Sequence, residues 1–172
     1  MLPVKTPDGV HVTADDCPRS AVTPAILAAL PPRFRPEGRV TAGNSAPLSD
    51  GAAAVVVMSA QAARDRCITP LARILGTAVS ALSPEIEGPA PVQATRTVLA
   101  RAGMTLDDID VIAGYEPFAA EVLGEAYGAA GARLTTTAIE TLQHTGGGTA
   151  LISIVAAGGQ GMAMLLDRSP GT

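Results

Sequence analysis

Residues 52–58 read Ala-Ala-Ala-Val-Val-Val-Met, an uncharged apolar run that follows Asp50-Gly51 at the end of a polar loop. Nothing in it alternates between apolar and polar, so a strand built from it has two apolar sides and must be covered on both. That requirement favours architectures in which helices or a second layer close over a sheet. The preceding loop, Val40-Thr41-Ala42-Gly43-Asn44-Ser45-Ala46-Pro47-Leu48-Ser49, is polar and turn-prone. After the run, Ser59 is placed to cap a short helix reaching about Arg66.

The rest of the composition fits the same picture. With 172 residues the chain suits one domain, long enough to close a hydrophobic core. A hydrophobic share of 47% with only 2% aromatic means that this core is built from Ala, Val, Leu and Ile. The mean hydropathy of +0.30 is high. Yet no apolar run is long enough to span a bilayer, and no signal-peptide pattern follows Met1. The expectation is a cytoplasmic chain without membrane contact whose excess apolar surface wants a protein partner, although the many alanines inflate the index. A net charge of −4 with no basic cluster excludes the electrostatic footprint of a nucleic-acid binder. Cys17 and Cys67 form no CxxC pattern and have only His11 and His144 as companions, so no structural metal is expected and the reading is a reduced chain.

Along the chain, residues 10–12 suggest one short strand, and Thr23-Pro24 marks a helix start that Pro31-Pro32 stops. Strands are predicted over 52–58, 71–79, 109–114, 150–156 and 162–166, the last two pairing as a hairpin. Helices are predicted over 91–102, ended by Gly103, over a stretch from Pro117 to about Leu123, and over 129–143. The alternation is that of an α/β layer fold.

Several stretches closely resemble the thiolase family of acyl-CoA transferases (acetyl-CoA acetyltransferases and 3-ketoacyl-CoA thiolases). They are the loop and run 40–59, Asp15-Asp16-Cys17-Pro18-Arg19 with Thr23-Pro24, and Leu30-Pro31-Pro32-Arg33-Phe34. Further along they are Ile68-Thr69-Pro70-Leu71-Ala72-Arg73-Ile74, Arg101-Ala102-Gly103-Met104-Thr105-Leu106-Asp107-Asp108-Ile109-Asp110 and Gly131-Ala132-Arg133. The resemblance implies two similar α/β halves, each with a mixed sheet and helices on its faces. It makes residues 1–59 the end of the first half, with its last strand, and 60–172 the second half. The body of the first half, which in the family carries the nucleophilic cysteine and the dimer interface, is not in this sequence. Neither Cys17 nor Cys67 sits in a matching context.

The family's chemistry needs a thiolate nucleophile, a base, an acid/base group and oxyanion donors. Where the family has Asn-Glu-Ala-Phe-Ala, this chain has Tyr115-Glu116-Pro117-Phe118-Ala119, a phenol in place of the amide. The family's next strand and its Gly-His-Pro base are lost between Leu123 and Gly131, leaving Glu125 near the position of the histidine. That strand lies at a sheet edge in the family, so its loss leaves the core possible and exposes a new edge. The family's Cys-x-Gly-Gly-Gly-Met-Gly appears as Val155-Ala156-Ala157-Gly158-Gly159-Gln160-Gly161, and valine has no proton to give.

Each candidate carries two readings. Glu116 is either a catalytic or site-organising carboxylate or a structural hydrogen-bonding one, and Glu125 either a replacement base with its pKa raised by burial or a solvated loop residue. Gly158, Gly159 and Gly161 are either oxyanion donors or a tight hairpin turn. Ala42, Gly43, Ser45 and Ala46 are either a coenzyme A edge or a loop that merely enters a strand. His144 is read as a C-terminal helix cap or a solvated residue. The resulting expectation is a truncated thiolase-like pseudoenzyme, with no tightly bound cofactor and with coenzyme A or acyl-CoA as its possible ligand. It associates with a thiolase-type subunit or with itself. The alternative is an acyl-CoA acyltransferase active only in a heteromer or with divergent catalytic residues.

Overall fold

The computed structural model describes residues 2–15, 17–18, 21–115, 117–118 and 126–169. They fall into two compact units, one of 1–51 with 116–127 and one of 52–115 with 128–172.

In the first unit, β1 (Val4–Lys5) and β2 (His11–Val12) pair antiparallel around a turn in which Gly9 takes φ 89°. Helix α1 (Pro24–Ala28) starts as predicted: the Thr23 hydroxyl accepts from the Ile26 amide at 3.2 Å, and proline fills the first helical position. None of the described residues of this unit is buried.

The second unit holds the sheet. Helix α2 (Ala60–Asp65) is capped by Ser59, whose hydroxyl accepts from the Ala62 amide at 3.1 Å. Then follow β3 (Arg73–Ala81), α3 (Ala90–Ala102), β4 (Val111–Gly114), α4 (Ala130–Thr145), β5 (Gly148–Ala156) and β6 (Gln160–Arg168). The strands lie in the order β3-β6-β5-β4; β6 runs antiparallel to both neighbours and β4 parallel to β5. The predicted β5–β6 hairpin forms. Helices α3 and α4 stop at glycines in the left-handed region, Gly103 at φ 67° and Gly146 at φ 90°, where a side chain would be strained.

The helices cover opposite faces. Ala94, Val98 and Leu99 of α3 pack with Ala78, Leu151, Ala163 and Leu165, while Leu134, Ala138 and Leu142 of α4 pack with Ala150, Ile152 and Leu166. Successive residues of a strand point to opposite sides, so Leu165 and Leu166 belong to different layers. The result is a three-layer α/β/α unit whose core is aliphatic.

Two expectations are corrected. Residues 52–58 form neither helix nor strand and pair with no strand among the described residues, because a strand needs a hydrogen-bonded neighbour and none of the four sheet strands reaches them. The helix expected from Pro117 does not begin there: Phe118 forms an isolated antiparallel bridge with Ser45, and Pro117 accepts from the Ala46 amide at 3.0 Å. The remainder of that predicted helix, 119–125, lies outside the described residues.

Candidate functional site

The loop of residues 40–50 is ordered by its own polar groups. The Asn44 side chain accepts from the Thr41 amide at 2.8 Å and donates to the Arg39 carbonyl at 2.9 Å. The Ser45 hydroxyl donates to the Thr41 carbonyl at 2.9 Å, and the Gly43 amide donates to the Thr41 hydroxyl at 3.1 Å. Four hydrogen bonds thus close one turn. Gly43 packs close to two side chains, since a Cβ there would meet the Leu27 and Leu30 methyl groups at 2.6 and 2.7 Å. Of the four residues read as a coenzyme A edge, Gly43, Ser45 and Ala46 therefore carry structural contacts, and Ala42 is exposed.

Immediately before the loop is an open cavity of about 330 Å³ lined by Phe34, Arg35, Glu37, Gly38, Arg39 and Val40. The Arg33 amide, donating to the Val40 carbonyl at 2.9 Å, closes the backbone behind it. Its lining combines two arginines, a glutamate and the exposed ring of Phe34. Sequence reading passed over this cavity, although Pro31-Pro32 and Pro36-Glu37-Gly38 mark the bends that form it.

The glycine turn belongs to the sheet unit. Residues 157–159 join β5 to β6, with Gly158 and Gly159 at φ 91° and 84°. Gly158 donates its amide to the Glu87 carboxylate at 3.1 Å. The Gly159 carbonyl accepts from the Leu82 amide at 2.7 Å, and a Cβ on Gly159 would run into the Leu82 backbone. Gly161 pairs with Val155 and Ser80 inside the sheet, and a Cβ there would run into the backbone of Ala90 and Pro91. The segment between β3 and α3 thus lies against this turn and takes up the Gly158 amide and the Gly159 carbonyl. Glu87 was missed from the sequence because it lies 71 positions from its partner.

Tyr115, in place of the family's amide, directs its backbone amide to the Ser153 carbonyl at 2.8 Å and packs at the α4 side of the core. Glu116 and Glu125 lie outside the described residues. Val155 is half-buried in β5. The His144 Nδ1 lies 2.8 Å from the Glu140 carbonyl, within α4. Cys17 and Cys67 form no disulfide, and among the described residues no group of His, Cys, Asp and Glu could hold a metal ion. No helix among them is long and apolar enough to cross a membrane.

The geometry is that of known proteins. The profile described as Thiolase, N-terminal domain matches residues 1–61, and that described as Thiolase, C-terminal domain matches 68–127 and 122–168. The two C-terminal stretches meet where the sequence has its shortened connection. An acetyl-CoA acetyltransferase of Chromobacterium violaceum is 35% identical over 190 positions, covering 98% of this chain and 48% of that protein. A beta-ketoadipyl-CoA thiolase of Acinetobacter baylyi is 35% identical, with 97% and 48% covered. Among solved structures, the acetyl-CoA acetyltransferase of Bacillus anthracis superposes with a TM-score of 0.91 at 32% identity, covering 98% of this chain and 49% of that one. Human mitochondrial 3-ketoacyl-CoA thiolase, solved in complex with CoA, gives 0.84 at 30% identity, covering 97% and 48%. The chain spans about half the length of the relatives it matches, and it belongs to the thiolase family.

Proposed function

We propose that this chain is a non-catalytic thiolase-type subunit or module that associates with a thiolase-type partner. The carrying observation is the glycine turn. The Gly158 amide is spent on Glu87, and the position of the family's acid/base cysteine is Val155. An oxyanion donor must be free to meet developing charge, and an acid/base group must own a proton. Here the Gly158 amide is already held by a carboxylate, and Val155 has no proton to give. The test is acetoacetyl-CoA cleavage by the chain alone and with a thiolase-type partner. No turnover by the chain alone is expected. Turnover by the isolated chain that Glu116→Gln abolishes would overturn the proposal in favour of a divergent acyltransferase.

A retained coenzyme A contact is compatible with this role, and the cavity flanked by Arg35 and Arg39 favours it. Calorimetric titration with coenzyme A is expected to show binding that weakens about tenfold, or ~1.4 kcal/mol, on Arg39→Ala. An unchanged affinity in that variant would remove the cavity from the reading.

A further inference from the structure

We draw no further inference here: the strongest candidate, the open cavity of the first unit lined by Phe34, Arg35, Glu37, Gly38, Arg39 and Val40, belongs to the coenzyme A contact already proposed.

Discussion

The two units of this chain use apolar residues in opposite ways. In the unit of 52–115 and 128–172, Leu142, Ile152, Leu165 and Val98 are fully enclosed between helices and sheet. In the unit of 1–51 and 116–127, no described residue is buried, and Phe34 and Leu2 are more than four-fifths exposed. Both match the same family over nearly their whole length, so resemblance of sequence does not by itself confer a core. What the first unit has instead is polar closure, the Thr41–Asn44 turn and the capped first turn of α1. Such bonds net only about 0.5–1.5 kcal/mol each because water competes for the same groups. They define a loop's shape without supplying the stability of a packed layer.

Substitution of large side chains should separate the units most widely. Leu142→Ala leaves a cavity between α4 and the sheet and is expected to cost about 3 kcal/mol in urea unfolding. Phe34→Ala should stay within about 0.5 kcal/mol, since the ring is 81% exposed. Equal costs would erase the distinction. Added volume should separate them less. Gly161→Ala drives a methyl group into the Ala90 backbone, for an expected loss of about 2 kcal/mol, whereas Gly43→Ala meets only the ends of Leu27 and Leu30, which can turn aside. Finding Gly43→Ala to be the costlier of the two would show that the first unit is more tightly packed than its exposure implies.

The smallest effect lies at Asp108, before β4. Its carboxylate accepts from the Thr105 amide at 2.7 Å and from the Thr105 hydroxyl at 2.9 Å, and these bonds hold its pKa below the ordinary aspartate value. A depressed folded-state pKa contributes stability above the unfolded-state value, and that contribution disappears as pH falls through the folded one. Asp108→Ala should therefore lower Tm slightly at neutral pH, with the difference from the parent chain closing below about pH 4, near the unfolded-state value. A difference that persists into stronger acid would assign the effect to packing of the turn rather than to the carboxylate.

Much of the sheet unit was legible because its signals are local. The Pro91 and Gly103 boundaries, the spacing of Val98 and Leu99, and the Leu134, Ala138, Leu142 register each report on a few neighbouring residues. The hairpin of β5 and β6 was equally readable from Gly158 and Gly159 between two apolar runs. The candidate site was less so. Glu87 and Gly158 meet only because the β3–α3 connection folds onto the hairpin, and no sequence period encodes a pairing across that separation. The bridge from Ser45 to Phe118 is of the same kind, and it replaced an expected helix start.

Residues 52–58 mark the division between these sources of information. Their apolar character on both sides, the capping Ser59 after them and the family to which they belong are properties of side-chain type and order, and are readable without coordinates. Whether they form a strand was decided by tertiary structure alone, because pairing depends on a neighbouring backbone and not on the segment's own residues. The same reason separates Val155 from its surroundings: its lack of a proton is evident from the sequence, while the closure of the turn by Glu87 and Leu82 exists only once distant parts of the chain have packed together.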